Sequence, residues 1–248
     1  MKQPPVISIS IVSHQQGALV AALLLDIAAH CALPLEVILT LNKPEKLPFD
    51  IASFPFPVKV VNNATAKGFG ANHNAAFGLA GAAHFCVLNP DIRFAQDPLP
   101  ALIKVLADKK IGVVAPLIVS PAGDVEDSAR RFPTLASIIR KVLSGSSGPE
   151  YTVGKEPLYP DWIAGMFMVF RADVFSAAGG FDEGYFLYYE DVDLCRRLHS
   201  KQLRAVLLPG VRATHAAQRA SHRNLRYLFW HGKSMLRFFC KSLLIKSR

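Results

Sequence analysis

The sequence predicts an α/β domain on a parallel, doubly wound sheet, and two observations carry that prediction. Short β-branched, apolar runs alternate with segments of helical spacing through the first half of the 248-residue chain. Polar residues then recur just past the ends of those runs, at Ser13-His14, Asn42 and Asn89-Pro90-Asp91. That is the rim where parallel sheets bind ligands.

Each element has its own signal. Val6–Val12 is a β-branched run, and Gly17–Leu33 follows with Leu19, Leu23 and Ile27 at helical spacing before Pro34 stops it. Val37–Leu41 and Val58–Val61 read as strands joined by a Pro-rich connection. Ala71–Ala83 reads as a small-residue helix leading into a strand at Phe85–Leu88. A helix at Pro98–Asp108 and a strand at Gly112–Pro116 come next. The Gly-, Pro- and Ser-rich segment Val119–Pro160 reads as a long binding loop. Trp162–Arg171 is strand-like, Glu190–Leu198 helical, and Ala205–Leu208 a further strand.

Half of the residues are hydrophobic, yet no run approaches the roughly 18–20 apolar residues of a membrane-spanning helix. The start, "MKQPPVISISIVSHQQG", lacks the leucine-rich core of a secretory signal, so the expected location is the cytoplasm. Cys31, Cys86, Cys195 and Cys240 are scattered without paired spacing and read as reduced thiols. The net charge of +9 is concentrated late. After Asp193 there is no acid, and 13 of the 55 remaining residues are Lys or Arg. That tract suits an anionic membrane surface, a polyphosphate ligand or nucleic acid.

Three stretches carry chemistry. An acid held behind a proline at a strand end, Asp91, suits a hard cation such as Mg²⁺ or Mn²⁺, although Asn-Pro-Asp is also ordinary turn chemistry. Asp182, Glu183, Glu190, Asp191 and Asp193 lie among aromatic residues, where acids are costly unless paired or functional. Residues two apart on a helix point about 200° from each other, so Asp191 and Asp193 have different jobs; capping and the helix dipole account for Glu190 and Asp193 without chemistry. His215 offers a neutral imidazole beside the basic tract. In addition, Lys67-Gly68-Phe69-Gly70-Ala71-Asn72 places glycines before a helix, where backbone amides receive phosphate or sugar hydroxyls.

Taken in order, "ISIVSH", "KGFGANHNAAF", "VLNPDI", "GDVEDSARRFPT", "DWIAGMFMVFRADVF" and "GGFDEGYFLYYEDVDLCRRL", with His215, resemble family 2 glycosyltransferases, in their rhamnosyltransferase-like branch. The resemblance implies the GT-A nucleotide-diphospho-sugar transferase fold, a mixed, mostly parallel sheet flanked by helices, over residues 1–220. It implies an inverting sugar transfer in cell-surface polysaccharide synthesis. Asp191 is the base of the "ED" motif, and Asp91 and His215 hold Mg²⁺ or Mn²⁺ at the diphosphate. Ser13, His14, Asn42, Lys67, Gly68, Asn72 and Asn89 line the nucleotide side, and Gly165 the acceptor side. The donor is a nucleotide-diphosphate sugar, with dTDP-rhamnose as one candidate, and the acceptor a glycan or polyprenyl-linked sugar. The chain departs from the family in two places. Thr40-Leu41-Asn42 ends without the usual acid, and Lys201-Gln202-Leu203 stands where glycine commonly closes the helix.

Residues 221–248 read as a basic amphipathic helical tail. Leu228, Phe229, Gly232, Leu236, Phe239 and Leu243 form one stripe, Arg226, Lys233, Arg237 and Lys241 lie beside it, and Trp230 and Phe238 lie off it as interfacial or partner-facing aromatics. Such a helix fits peripheral attachment to anionic lipid at the inner face of the cytoplasmic membrane. Docking on the domain's own core or on a second subunit, in a homo-oligomer, is the alternative. No RNA- or DNA-binding module accompanies the basic tract, so nucleic acid is not an expected partner. A non-catalytic nucleotide-sugar-binding or scaffold protein is the competing reading, with Thr40-Leu41-Asn42 as its sign and the retention of Asp91, Asp191 and His215 against it.

Overall fold

The structure, a computed structural model, describes residues 3–144, 149–216 and 225–246. Strand β1 (Ile7–Ser13), helix α1 (Gly17–His30), β2 (Leu35–Leu41), β3 (Val58–Asn62), α2 (Phe69–Phe77) and β4 (His84–Leu88) form the expected alternating half. β5 (Ile92–Arg93), α3 (Leu99–Val105) and β6 (Ile111–Val119) follow. β7 (Ala129–Arg130), α4 (Leu135–Ser144), β8 (Trp162–Ile163), β9 (Phe167–Arg171) and α5 (Ala172–Ala177) occupy the middle. The chain then runs through α6 (Glu190–Ser200), β10 (Arg204–His215) and α7 (Leu225–Lys246).

Eight strands make one sheet in the order β3-β2-β1-β4-β9-β6-β10-β5. β1 pairs in parallel with β2 and β4, β2 with β3, and β6 with β10. β9 lies antiparallel between β4 and β6, and β5 antiparallel to the end of β10. The sheet is therefore mixed and mostly parallel, as the family resemblance implies, and β9 and β5 depart from the all-parallel sheet that the strand–helix alternation suggests. Two apolar clusters cover its faces. One joins Ile9, Val37 and Cys86 to Leu23 and Ile27 of α1; the other joins Phe85, Val113 and Phe170 to Phe175, Leu194 and Leu198. Burial on both faces is why the central strands read as continuous apolar runs.

The departures from expectation sit where turns matter. α2 ends at Phe77, and Gly78 caps it with its N–H bonded to the Asn74 carbonyl, so the helical reading to Ala83 is six residues too long. Trp162–Arg171 is not one strand. It breaks at Ala164-Gly165-Met166, so β8 pairs with β7 in a small separate sheet while β9 enters the main one. β10 continues past Leu208 through a register shift before Arg212 and reaches His215. The Val119–Pro160 segment holds β7 and α4 as well as loop. The α6 terminus closes as a glycine-ended helix does: Leu203 N–H reaches the Leu198 carbonyl, and Gln202 takes φ 60°.

α7 docks on the domain, and of the expected stripe Phe239 packs on the buried cluster while Leu228, Phe229 and Leu236 do not. Trp230 lies on Phe186, Ser234 Oγ donates to the Leu187 carbonyl at 2.8 Å, and Phe238 is buried against Tyr189. Phe238 is thus a core residue, not an interfacial aromatic. Lys241 Nζ bridges Asp182 at 2.9 Å and Asp193 at 2.6 Å, and Arg237 also bonds Asp182, whose carboxyl is held down to about 2 against the opposing pull of burial. Leu228, Phe229 and Leu236 face outward, 69, 67 and 65 % exposed. The Leu243 side chain and the expected boundary near residue 220 lie outside the described residues.

Two stability measurements follow from this packing. Asp193 is buried between Arg197 and Lys241; Asp193→Ala removes the anion they share while Lys241 keeps Asp182 and Arg197 keeps the Gly180 carbonyl, and should cost about 1.5–3 kcal/mol in urea unfolding. Gln202→Gly relieves the left-handed backbone and should add roughly 1 kcal/mol.

Candidate active site

The carboxyl ends of β1, β2 and β4 set the floor of the site. Ser13 is buried, and its hydroxyl accepts the Gln16 N–H at 3.0 Å, which starts α1. His14 beside it is exposed, and partial desolvation of its ring together with the Lys43 charge lowers its pKa. Asn42 is a hub: its Oδ1 accepts the Lys67 N–H at 2.8 Å and the Asn63 amide at 2.9 Å, and its Nδ2 donates to the Lys67 carbonyl at 2.9 Å. Asn63 also donates to Asn72 at 2.6 Å, and Asn72 reaches the Gly68 carbonyl at 3.0 Å. These asparagines hold the loop before α2 in one shape. Lys67 is left with an exposed side chain on it.

Gly68 has a steric reason. A Cβ there would sit 2.6 Å from the Phe186 carbonyl oxygen, and that carbonyl accepts the Phe69 N–H at 2.9 Å. The first α2 amide is therefore taken by the chain, in place of the phosphate contact that the glycine spacing suggests. Beneath the helix, His73 is buried with its Nδ1 2.7 Å from Ser10 Oγ, and burial depresses its pKa to about 3. It is a neutral core group.

The second wall forms where β10 meets β5. The register pairs His215 with Ile92, and the Ala216 N–H bonds the Asp91 carbonyl at 2.8 Å, so His215 lands beside the turn after Asn89-Pro90. Its Nε2 lies 3.1 Å from Asp91 Oδ2 and its Nδ1 2.7 Å from Glu126 Oε2. The two carboxylates raise the His215 pKa to about 9 against the effect of burial. The other Asp91 oxygen, Oδ1, is buried without a hydrogen-bond partner. Asn89 is half-buried, its N–H fixed to the Met166 carbonyl at 2.9 Å.

The third element is the start of α6. Tyr188 and Tyr189 both take left-handed backbone, φ 70° and 69°, to turn the chain into the helix; such strain persists only where the surroundings impose it. Half-buried Asp191 accepts the Gly165 N–H at 3.0 Å and its neighbour's, Val192, at 2.8 Å. Gly165 is tight: a Cβ would lie 3.2 Å from the Phe69 ring and 3.7 Å from Asp191 Oδ2. Burial raises the Asp191 pKa, and those amides oppose the rise; burial and the Asp191 charge push Glu190 well above its usual value. Asp191 is a half-buried carboxylate with a raised pKa, while Asp193 faces away into ion pairs, which separates the two acids as helical geometry requires.

Glu126 and Arg130 were not legible as site residues. Glu126 returns to the rim because a turn at Ser120–Asp124 sends its N–H back to the Ile118 carbonyl. Arg130 bonds Asp127 at 2.8 Å, lies over Trp162, and acts electrostatically on Asp191. Their signal was the clustered charge of "GDVEDSARR"; their partners are 89 and 61 residues away in sequence.

The family model described as "Glycosyl transferase family 2" matches residues 8–174. This chain belongs to glycosyltransferase family 2. It is 34% identical over 198 residues to rhamnosyltransferase WbbL of Escherichia coli (strain K12), covering 73% of each. It is 31% identical over 166 residues to N-acetylglucosaminyl-diphospho-decaprenol L-rhamnosyltransferase of Mycobacterium tuberculosis (strain CDC 1551 / Oshkosh), covering 58% of this chain and 53% of that one. Two solved structures share the fold of this family 2 enzyme. GalNAc-T7 with UDP, GalNAc and Mn²⁺ superposes with TM-score 0.68 at 14% identity, over 88% of this chain and 45% of the other. The mannosyltransferase PcManGT from Pyrobaculum calidifontis with GDP-Man and Mn²⁺ does so with TM-score 0.63 at 17% identity, over 98% and 65%. The GT-A architecture and the glycosyltransferase assignment stand together, and the non-catalytic reading is set aside.

A raised folded pKa means that the protonated His215 contact stabilises the fold fully below the unfolded value of 6.5 and is lost as pH rises through about 9. A cation taken by His215 must displace that proton. Mn²⁺ affinity, measured by calorimetry with a nucleoside diphosphate, should therefore rise up to about tenfold per pH unit between pH 7 and 9, with proton release. Affinity independent of pH would remove His215 from the ligand set.

Proposed function

We propose that this enzyme transfers a sugar, with rhamnose as the leading candidate, from a nucleotide-diphosphate donor to a glycan or polyprenyl-linked acceptor, with inversion at the anomeric carbon. The observation that carries the proposal is Asp191, whose carboxylate is oriented by the Gly165 amide and made more basic by burial. An acceptor hydroxyl at that mouth gives its proton to Asp191 as its oxygen attacks the anomeric carbon. The bond from that carbon to the diphosphate oxygen breaks, and the nucleoside diphosphate leaves with the electron pair. The rhamnosyltransferase names of the relatives, one of them acting on a diphospho-decaprenol substrate by its name, support this choice of donor and acceptor.

The cation fits the residues present. Buried Asp91 Oδ1 has no partner, His215 stands beside it, and Glu126 orients the far side of the imidazole. Among the described residues no group of three or more His, Cys, Asp or Glu can hold a metal ion by itself. That matches an ion held by one or two protein donors plus substrate phosphate. Mg²⁺ or Mn²⁺ bound there would supply Lewis-acid stabilisation of the leaving diphosphate. His14, Lys67 and Asn89 line the donor side in this reading. Ser13, Asn42, Gly68 and Asn72 hold its shape, and Gly165 borders the acceptor.

We further assign residues 1–220 to catalysis and 221–248 to a basic tail whose outer face, with Leu228, Phe229 and Leu236, meets an anionic membrane from the cytoplasmic side. Among the described residues no helix is long and apolar enough to cross a membrane.

Thermal-shift screening of nucleotide sugars with and without Mn²⁺ tests the donor reading, since a ligand of the folded state raises the melting temperature. A Mn²⁺-dependent shift with one nucleotide, lost in Asp91→Ala, is expected; a shift retained in that variant refutes the Asp91 role. Asp191→Asn should lower turnover by about 10²–10⁴-fold with donor binding intact, and a fully active variant removes Asp191 as the base.

A further inference from the structure

α4 is built inside out for a helix of a water-exposed domain. Its residues Leu135, Ile139 and Leu143 recur every fourth position, so they stack along one side. Such a stripe ordinarily packs on the core. Here it faces away from the protein: Leu135 is 62 %, Ile139 58 % and Leu143 82 % exposed. Ile139 and Leu143 line an open groove with Ala136 and Arg140. Three large apolar side chains exposed in one row, rather than scattered singly, mark an interaction surface.

The charge around it selects the occupant. Between Asp127 and Glu150 the chain has no acid and carries Arg130, Arg131, Arg140 and Lys141. Arg131 and Arg140 are exposed, whereas Arg130 is paired with Asp127. An apolar ridge beside exposed Arg131 and Arg140, with the carboxylates of Glu150 and Asp161 held at its root on the Arg131 and Phe132 amides, matches the boundary between acyl chains and anionic headgroups. The root of the helix is tied to the catalytic mouth. Phe132 packs with Tyr185, Val192 and Phe238, alongside Trp162 and Tyr189, and its N–H bonds Asp161 at 2.8 Å. Val192 is next to the base Asp191, and Phe238 belongs to α7.

We infer that α4 is an interfacial helix that inserts Leu135, Ile139 and Leu143 into an anionic lipid surface, as a second attachment point distinct from α7. Because its root packs against the start of α6, this attachment holds the Asp191 mouth at the membrane surface. A polyprenyl-linked acceptor presents its sugar there. That consequence rests on the acceptor reading above; the lipid contact itself does not.

The test is co-sedimentation of the full chain with vesicles of phosphatidylcholine alone or with phosphatidylglycerol, comparing wild type, Leu135→Gln/Ile139→Gln/Leu143→Gln, and the α7 variant Leu228→Gln/Phe229→Gln/Leu236→Gln. All three α4 side chains are exposed, so the α4 variant should melt like wild type. It should bind phosphatidylglycerol vesicles at least about tenfold more weakly. Binding by wild type should be salt-sensitive and weak on phosphatidylcholine alone. Unchanged binding by the α4 variant overturns the inference, as does failure of wild type to bind either vesicle. Light scattering decides the remaining case: a wild-type dimer that the α4 variant converts to monomer, with vesicle binding retained, assigns the stripe to a second copy of the chain and overturns the lipid assignment. If the α4 variant loses vesicle binding yet keeps turnover on a short-chain, water-soluble acceptor, the lipid contact stands apart from the chemistry. If wild type binds vesicles through α4 and has no transferase activity on any lipid-linked acceptor, the contact survives and the acceptor reading fails.

Discussion

The rest of the structure depends on the burial of one mixed sheet on both faces. A strand covered on each side disfavours unpaired polar groups along its length, because an unsatisfied polar group in that interior costs more than most single contacts return. The buried polar groups of β1 obey this: Ser8 is bonded to Glu36, itself paired with Lys59, and Ser10 to His73. The polar groups of the candidate site sit at the strand ends or beside them. Asp91 follows β4, His215 ends β10, and Asp191 opens the helix that packs beside β8 and β10. One constraint thus produces a strong core and a polar rim from the same strands.

At the rim, direction separates two of three neighbouring acids. Glu190 stays close enough to Asp191 to be raised by its charge, whereas Asp193 points elsewhere. The left-handed turn at Tyr188-Tyr189 sets the helix so that Asp193 enters the Arg197–Lys241 pair while Asp191 meets the Gly165 amide. Asp193 is neutralised structurally, and Asp191 is left as the basic group. Its amide partner exists because the chain breaks between β8 and β9, where a continuous strand would have committed Gly165 to a ladder.

The basic end of the chain is divided in a similar way. Arg237 and Lys241 are spent on Asp182 and Asp193, which fasten α7 to the start of α6 and place its aromatic face against Phe186 and Tyr189. Part of the excess positive charge in the sequence is therefore internal cement. What remains outward on α7, and on α4, is apolar surface edged by cations. The two helices share the cluster around Phe132, Tyr189 and Phe238, so surface contacts on either are mechanically close to the start of α6.

Local rules were enough for much of this protein. Proline, glycine and β-branched runs mark the alternating elements of the first half, and a period of 3.6 against the chemistry of carboxylates separates Asp191 from Asp193. Asp91 behind Pro90 at a strand end and the ordered motifs of the family were equally readable, because each is written in neighbouring residues. Other features required distant parts to meet. Asn42 as the hub of the Lys67 loop, Glu126 behind His215, and the choice of Phe238 over Leu236 as the buried residue of α7 depend on partners 21–89 residues away or on another helix. Amphipathic spacing says that a helix has an apolar face; only the competing surfaces of the folded domain decide which face is covered. In α7 the aromatic residues and paired cations won that competition over the leucines, since ion pairs with one buried and one half-buried acid and a fitted ring outweigh a stripe whose leucines find no complementary groove.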